Sequence, residues 1–326
     1  GKTTLLNHLL RNNEGLRLAV LVNDFGDINI DADLVVNNDG DTINLASGCI
    51  CCSLADGFMQ ALARLRDHGD RIDHIIVEAS GVSDPVKIGQ YGAILNYGLD
   101  GVIVLADAEQ IQEKAGDKYV GDTVLRQLQG ADLLVLNKID LVTPQQLADV
   151  RTWLAECAPG VRIVEATEGQ IPLPILLGAH LDDRSPVAEE AHMNGDRDRH
   201  AHDSDHLTPY VTRSFSSQNA LQEVNVRAFL DGLPDGVLRA KGFVRLLDDL
   251  ERRYLLQLVG KRWTLTADRP WGNERPETRV VVIGLPGSVD DQKFELALTC
   301  LLYTSPSPRD LGSNLVCRLG LGDRGG

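Results

Sequence analysis

Four short apolar segments constrain the fold of this chain more than any other feature. They are LRLAVLVN (16–23), HIIVEASG (74–81), DGVIVLAD (100–107) and ADLLVLNKID (131–140). Helical patterns such as GFMQALARLRD (57–67) alternate with them. Short apolar strands that alternate with helices indicate βαβ units around a mostly parallel, buried sheet. The sequence therefore predicts an α/β fold that binds its ligands at the carboxyl ends of the strands.

The first residues, GKTTLLNHLLRN, match the second half of the phosphate-binding pattern G-x-x-x-x-G-K-[ST]. We expect the preceding strand and the first part of this P-loop to be missing. Lys2 would contact the β- and γ-phosphates, Thr3 would bind Mg²⁺, and the N-terminus of the following helix would favour anions. The predicted phosphate-side residues are Gly1, Lys2, Thr3 and Thr4. Because Gly-Lys-Thr also occurs in ordinary turns, this prediction depends on the segments that follow.

The segment LNKID contains an N-K-x-D pattern at the end of a predicted buried strand. The carboxylate of Asp140 can accept hydrogen bonds from both the ring N–H and the exocyclic amine of guanine, which adenine cannot offer. Asn137 and Lys138 would hold the loop and stack along the base. The alternative is a solvated polar turn. In VEATEG (164–169), a further strand and loop would bring Ala166 and Thr167 near the guanine.

The segment VEASGVSDP places Glu78 at the end of another predicted strand, with Gly81 three residues later. A carboxylate at this position can bind Mg²⁺ directly or through water, and a glycine lets the backbone approach the γ-phosphate. The alternative is a strand-end acid that caps the next helix. We predict that Glu78 binds Mg²⁺.

Composition excludes several classes of function. The chain has 326 residues with 43% hydrophobic residues and a net charge of −15, which favours a globular protein of two domains. A strongly acidic chain lacks the clustered Lys and Arg of nucleic-acid binders and is repelled by anionic membranes. No apolar run reaches the length of a membrane span, and no signal peptide opens the chain. We expect a cytoplasmic protein that binds neither nucleic acid nor membrane.

The ordered set of segments resembles the CobW family of P-loop GTPases, whose members are associated with metal-ion handling and cobalamin synthesis. Further matching segments are VNDFGDINID, NLASGCICCSL, LRAKGFV, DRPWGNERP and VVVIG. The resemblance implies a P-loop GTPase domain followed by a smaller α+β domain. It also implies a metal site at the cysteine run, near the switch regions. One departure is that Asp24 and Asp27 stand where relatives often carry Glu.

Three of the six cysteines, Cys49, Cys51 and Cys52, fall within four positions of ASGCICCSLADG. Three thiolates supply most of a tetrahedral shell for Zn²⁺ or Co²⁺ and leave one position open for exchange. A structural zinc site would instead present four ligands in paired C-x-x-C spacing. The alternative is that one or two of these cysteines are buried as small apolar side chains. Asp24, Asp27 or Asp31 could supply the remaining ligand of this shell. Alternatively, each could lie near Mg²⁺ or be an ordinary surface residue.

The position of the cysteines suggests a purpose. They lie between a predicted switch segment (22–31) and Glu78, and both flanks could rearrange when the γ-phosphate is lost. We predict a slow GTPase that uses GTP and Mg²⁺, with Lys2, Thr3 and Glu78 as catalytic residues. Hydrolysis would be coupled to transfer of zinc or cobalt to a client metalloprotein, in cobalamin or zinc homeostasis. The alternatives are a metal buffer on a GTPase scaffold and a P-loop ATPase or kinase, against which Asp140 argues; the oligomeric state is left open.

The chain divides into four predicted regions. The GTPase domain covers 1–177, and a linker covers 178–208, which holds five of the eight histidines and many acids. Such a segment cannot build a core, so we expect disorder, with an auxiliary metal tract as the alternative. The region 209–302 is predicted as an open sheet with helices on one face. The last region, 303–326, has neither helical or strand periodicity nor a family match. It resembles translated library-adapter sequence rather than evolved protein.

Overall fold

The protein is represented by a computed structural model that describes residues 1–13, 15–23, 34–36, 42–44, 54–66, 72–79, 85–95, 97–178 and 208–289. The described residues divide into two compact units. The first unit runs from Gly1 to Leu177 and includes Thr208, and the second comprises Gly178 and the residues from Pro209 onward. The predicted tail (303–326) and nearly all of the predicted linker lie outside the described residues.

Helices and strands alternate through the first unit. Its described helices are α1 (Lys2–Arg11), α2 (Leu54–Arg66), α3 (Pro85–Ile94), α4 (Ile111–Gly116), α5 (Gly121–Gln129), α6 (Pro144–Cys157) and α7 (Leu173–Leu177). Its described strands are β1 (Leu18–Asn23), β2 (Leu34–Val36), β3 (Thr42–Asn44), β4 (His74–Ala79), β5 (Ile103–Asp107), β6 (Leu133–Asn137) and β7 (Arg162–Ala166). Across the described parts of the chain, no helix combines the length and apolarity needed to cross a bilayer.

The strands of the first unit form two sheets. One has the order β3-β2-β1-β4, and the other has the order β5-β6-β7. The β1/β4 pair and both pairs of the second sheet are parallel, whereas β2 pairs antiparallel with β1 and β3. The predicted α/β architecture with mostly parallel strands is therefore confirmed. The two short antiparallel strands β2 and β3 were not predicted, because three-residue strands carry too little periodicity to be recognised.

Burial explains why β6 is the centre of its sheet. Leu133, Leu134, Val135 and Leu136 have no exposed surface. Leu134 and Leu136 share an apolar cluster with residues of helices α5 and α6. A buried acid fixes the start of the strand: Asp132 accepts a hydrogen bond from the Val102 amide at 2.8 Å through Oδ2. The Asp132 amide donates in return to the Val102 carbonyl at 2.8 Å. This reciprocal pair sets the register of β5 against β6.

That register aligns the carboxyl ends of the three strands. Asp107 at the end of β5 lies opposite Asn137 at the end of β6, and Asn137 lies opposite Ala166 at the end of β7. In the other sheet, Ala79 at the end of β4 lies opposite Asn23 of β1. Parallel sheets of this kind present their loops for ligand binding at this edge.

The described residues of the second unit form a five-stranded antiparallel sheet with a helix packed on it. Its described elements are β8 (Val211–Ser217), α8 (Glu223–Asp231), β9 (Val237–Leu246), β10 (Asp249–Val259), β11 (Arg262–Pro270) and β12 (Thr278–Gly284). The strand order is β11-β10-β9-β12-β8. Val226 and Leu230 of α8 share a core with Val237, Val244 and Val282 of the sheet. The open sheet predicted for this region is present, with a helix packed on it.

Gly242 offers a test of the packing between β9 and β12. A Cβ at this position would lie 2.1 Å from the Arg279 carbonyl oxygen and 2.6 Å from the Val280 Cα. Since these are backbone atoms of a paired strand, we expect Gly242→Ala to lower the free energy of unfolding by about 3 kcal/mol. Guanidinium denaturation followed by tryptophan fluorescence in a Trp153→Phe background would report on this unit alone.

The matched control is Gly287→Ala, also in the second unit. Gly287 has a φ of +85° but no atom within 4 Å of an added Cβ, so its cost is limited to about 1 kcal/mol of backbone strain. Equal losses for the two variants would contradict the close approach of β9 and β12.

Candidate functional site

The N-terminus of α1 lies at the carboxyl end of β4. The Nζ of Lys2 donates a hydrogen bond to the Ala79 carbonyl at 2.6 Å, across 77 positions of sequence. Thr3 and Thr4 are exposed on the first turn of the helix, while Leu5 and Leu9 bury its other face. Glu78 is half-buried in β4, one residue before the carbonyl that Lys2 contacts. The structure thus brings three predicted phosphate-side and metal-side residues, Lys2, Thr3 and Glu78, to one edge.

Asn137 connects the loop after β6 to the loop after β7. It is only 4% exposed, and its Oδ1 accepts a hydrogen bond from the Gly169 amide at 2.8 Å. A buried amide side chain that lost this partner would leave a polar group unsatisfied, which costs roughly 1 to 3 kcal/mol. The predicted role of Asn137 as the residue that holds the loop has this contact as its physical basis.

Two residues near these loops adopt strained backbone conformations. Lys138 has a φ of +64° and Glu168 a φ of +53°, and they are the non-glycine residues with positive φ in the part of the chain that the structure describes. Left-handed backbone at residues other than glycine costs about 1 to 3 kcal/mol and persists where surrounding contacts enforce it. Both residues lie in neighbouring loops at the carboxyl edge of one parallel sheet. Such strain is typical of ligand-binding sites.

The loop after β7 is also packed against α1. A Cβ on Gly169 would lie 3.1 Å from the Leu5 amide nitrogen and 3.2 Å from its Cα. Farther along α1, the Nε2 of His8 donates to the Ile171 carbonyl at 3.0 Å. The helix predicted to bind phosphates and the loop predicted to approach the base therefore share direct contacts.

Lys138, the first residue after β6, pairs with a carboxylate at this edge. A side-chain hydrogen bond from its Nζ to Asp107 raises the pKa of Lys138, and Coulomb attraction to the same carboxylate adds to the increase. Smaller contributions come from Glu109 and Asp140. Asp140 itself is exposed, within the short 3-10 helix Ile139–Leu141 that follows Lys138. Its carboxylate is therefore accessible to an incoming ligand.

The loop that carries these residues is held at its far end by a helix cap. Thr143 precedes α6, and its hydroxyl accepts a hydrogen bond from the Gln146 amide at 3.3 Å. The Gln146 side chain accepts in return from the Thr143 amide at 2.9 Å. Reciprocal bonds of this kind form a capping box, which fixes where the helix begins. The segment from Asn137 to Thr143 is thus anchored at both ends.

Several predicted site residues lie outside the described part of the chain. These are Gly81, Cys49, Cys51, Cys52, Asp24, Asp27 and Asp31. Within the described ranges, no group of three or more His, Cys, Asp or Glu side chains is arranged to hold a metal ion. Cys157 is a free, half-buried thiol, and burial raises its pKa. A thiol of this kind remains protonated at neutral pH and is a poor metal ligand.

Sequence reasoning missed three residues at this edge. Each of them lies in a predicted segment but was given no role at the site. Asp107 ends the strand segment DGVIVLAD, Gly169 ends VEATEG, and His8 lies in the first helix. The sequence could have identified Asp107 as a candidate site residue, because an acid at the end of a buried strand lies where parallel sheets bind ligands. The contacts of Gly169 and His8 with distant backbone atoms have no counterpart in the sequence pattern.

Comparison with known proteins identifies relatives over most of the chain. The family model described as CobW/HypB/UreG, nucleotide-binding domain, matches residues 1–165, and the model of the cobalamin synthesis protein CobW C-terminal domain matches residues 210–301. A protein named zinc chaperone CobW from Pseudomonas aeruginosa is 34% identical, over 87% of this chain and 84% of the relative.

Two further relatives extend this comparison. A protein from Sinorhizobium sp, also named zinc chaperone CobW, is 31% identical over 93% of this chain and 94% of the relative. A Dictyostelium discoideum protein named zinc-regulated GTPase metalloprotein activator 1 is 25% identical over 81% of this chain and 64% of the relative. The resemblance inferred from the motifs is therefore confirmed.

Gly169 provides a test of the contact between the loop after β7 and α1. Its φ is +67°, and any side chain there would press on the Leu5 backbone. Gly160 has a similar φ of +74° but no atom within 4 Å of an added Cβ. We expect Gly160→Ala to cost about 1 kcal/mol from backbone strain alone, and Gly169→Ala to cost about 1 to 3 kcal/mol more.

The measurement is guanidinium denaturation followed by the fluorescence of Trp153, with Trp263 and Trp271 replaced by Phe. Trp153 lies on α6, in the same unit as both glycines. A Gly169→Ala variant as stable as Gly160→Ala would contradict the packing of this loop on α1.

Proposed function

The chain belongs to the CobW/HypB/UreG family of nucleotide-binding proteins, and from this premise we propose that it is a GTPase that binds zinc and delivers it to a client protein. The names of the relatives support zinc, and the observation that supports guanine-nucleotide binding is the arrangement at the carboxyl edge of the β5-β6-β7 sheet. There, a buried Asn137 holds two strained loops together beside an exposed Asp140. We further propose that the two compact units correspond to a GTPase domain and a CobW C-terminal domain.

Guanine recognition rests on Asp140. An ionised carboxylate accepts hydrogen bonds only, so it matches the two adjacent donors of guanine, the ring N–H and the exocyclic amine. Adenine presents an unprotonated ring nitrogen at the equivalent position, which a carboxylate repels. Because Asn137 and the capping box hold the two ends of the loop, Asp140 is presented with little freedom to rearrange. Preorganisation of this kind increases affinity for the matching base.

Phosphate binding and hydrolysis are assigned to the edge where α1 meets β4. The ammonium group of Lys2 would bind the β- and γ-phosphates, with Gly1, Thr4 and the backbone of Gly81 as further contacts. The hydroxyl of Thr3 and the carboxylate of Glu78 are hard oxygen donors of the type that Mg²⁺ prefers. The Lys2 bond to the Ala79 carbonyl supports this assignment, because it holds the helix beside the residue that follows Glu78. Mg²⁺ bound there would neutralise charge on the transferred phosphoryl group.

The metal is the cargo in this proposal. We assign it to Cys49, Cys51 and Cys52, since three thiolates bind zinc tightly and leave one position for exchange with a client. The names of the relatives favour zinc as the cargo. We place this chemistry in the cytoplasm, where thiols remain reduced. The cysteine run is followed after one residue by α2, and the positive end of a helix dipole lowers thiol pKa values nearby.

Asp140→Asn tests guanine recognition. The amide replaces one acceptor oxygen with a donor, which no longer matches the amine of guanine but matches the carbonyl of xanthine. We expect affinity for GTP to fall at least about 100-fold, because two hydrogen bonds to a charged group are lost or weakened, and affinity for xanthosine triphosphate to rise. Fluorescent nucleotide titration would measure both constants, in a protein with a complete P-loop in front of Gly1.

The control is Asp149→Asn, an exposed acid on α6 outside the loop. It removes the same charge and should leave both affinities within about twofold. Equal binding of GTP and ATP by the unsubstituted protein would contradict guanine recognition.

Replacing Cys49, Cys51 and Cys52 together by Ser tests the coupling of zinc to GTP. We expect zinc to alter the rate of GTP hydrolysis in the unsubstituted protein and to have no effect in the triple variant. We also expect zinc to change the affinity for GTP, and linkage requires that GTP changes zinc affinity by the same factor. The measurements are steady-state phosphate release during a zinc titration and competition with a chromogenic zinc chelator, each with GTP and with GDP.

Cys157→Ser is the matched control, since it removes a thiol whose pKa is raised by burial. It should leave both zinc affinity and hydrolysis unchanged. Equal zinc affinity in every nucleotide state would replace the chaperone proposal with that of a zinc buffer on an uncoupled GTPase scaffold.

A further inference from the structure

Asp107 forms a bridge between the ends of two neighbouring strands. It is the last residue of β5, and its Oδ2 accepts a hydrogen bond from the Nζ of Lys138, the first residue after β6. Its other oxygen, Oδ1, accepts from the Glu109 amide at 3.1 Å. A backbone bond from the Ala108 amide to the Asn137 carbonyl, 2.9 Å long, joins the same two strand ends. The carboxylate of Asp107 is therefore held in place on both sides.

The Asp107–Lys138 pair differs from an ordinary surface ion pair. Exposed pairs contribute little, because they immobilise two long side chains in water. Here Asp107 has a short side chain that is only 19% exposed and already fixed by the turn that follows it. Lys138 is the strained residue at the start of the Asp140 loop. The pair thus fixes the direction of the long, flexible Lys138 side chain within the loop that is proposed to bind the base.

A competing partner for Lys138 lies in the same loop. Asp140, two residues farther along, is close enough to act on the Lys138 charge, as is Glu109. If the ammonium group of Lys138 paired with Asp140, it would occupy the carboxylate that guanine needs. The bond to Asp107 draws the ammonium group toward β5 instead. Both carboxylates attract the same cation, so the one that holds it decides whether the other is available.

We propose that Asp107 is a positioning residue for guanine binding: it holds the ammonium group of Lys138 at the end of β5 and so leaves Asp140 available to the base. This inference rests on the proposed function, since it concerns the same nucleotide site. It assigns a role to a residue outside the N-K-x-D pattern. In this role Asp107 acts through Lys138 rather than on the nucleotide itself.

Asp107→Asn is the direct test. The amide oxygen of Asn can still accept from the Glu109 amide, so the turn is retained while the charge that holds Lys138 is lost. We expect affinity for GDP to fall about tenfold, the factor that corresponds to one hydrogen bond to a charged group. Inosine diphosphate lacks the exocyclic amine and depends less on Asp140, so its affinity should fall by about threefold. Fluorescent nucleotide competition in the protein with a complete P-loop would give both constants.

Three further variants separate positioning from a general structural role. Glu109→Gln removes a charge that also acts on Lys138 but makes no bond to it, and should leave both affinities within about twofold. Asp107→Glu keeps a carboxylate for Lys138 and should retain the preference for GDP over inosine diphosphate. In a Lys138→Met background, Asp107→Asn should have no further effect, because the competing cation is absent. Thermal unfolding of each variant checks that the fold is intact.

The outcomes are distinct. Three results would overturn the positioning role even if the unsubstituted protein binds guanine nucleotides. Asp107→Asn could lower the affinities for GDP and inosine diphosphate equally, or could lower neither. Its effect on affinity could also add to that of Lys138→Met. An unsubstituted protein that does not bind GDP would overturn the proposed function itself, and this inference with it. If Asp107→Asn unfolds, Asp107→Ser replaces it, because the Ser hydroxyl can also accept from the Glu109 amide but carries no charge for Lys138; the same outcomes then support or overturn the role.

Discussion

The hydrogen bond from the Gly169 amide to the Asn137 side chain is the contact on which the site depends. It is buried, so no water can replace it, and it joins the loops that follow β6 and β7. Those loops contain Lys138 and Glu168, whose left-handed backbones need such support. Because Gly169 also lies against the Leu5 backbone, the same contact extends to α1. A single polar bond thus aligns the loops after β6 and β7 with the helix that begins at Lys2.

The architecture around this bond brings together residues that are distant in sequence. Lys2 of α1 meets Ala79 at the end of β4 in one sheet, and Lys138 meets Asp107 at the end of β5 in the other. The first contact lies at a helix N-terminus, and the second lies at the start of a short loop under backbone strain. In the proposed cycle, a rearrangement at the proposed phosphate site would change the position of the cysteine run, which lies between β1 and β4 in sequence. The antiparallel second unit has its own hydrophobic core.

Particular residues show how far sequence reasoning reaches. The strands containing Glu78 and Asn137 were predicted in the right places, because continuous apolar runs followed by polar residues are typical of buried parallel strands. The family was recognised correctly from the order of the motifs. Strands β2 and β3 were missed because three residues provide no measurable period. The roles of Asn137, Lys138 and Asp140 at a nucleotide remain predictions, as does the metal site of Cys49, Cys51 and Cys52.

Sequence by itself determined the class of fold and the family, because these properties reside in consecutive residues with a recognisable period or spacing. Only the tertiary structure decided which side chains meet. Asp107 and Lys138 are 31 positions apart, and Asn137 and Gly169 are 32 apart, so no local pattern connects them. Their contacts follow from the register of β5, β6 and β7, which the buried Asp132 and the apolar β6 set through long-range packing. Local spacing encodes which residues are available, and the parallel sheet decides which of them become neighbours.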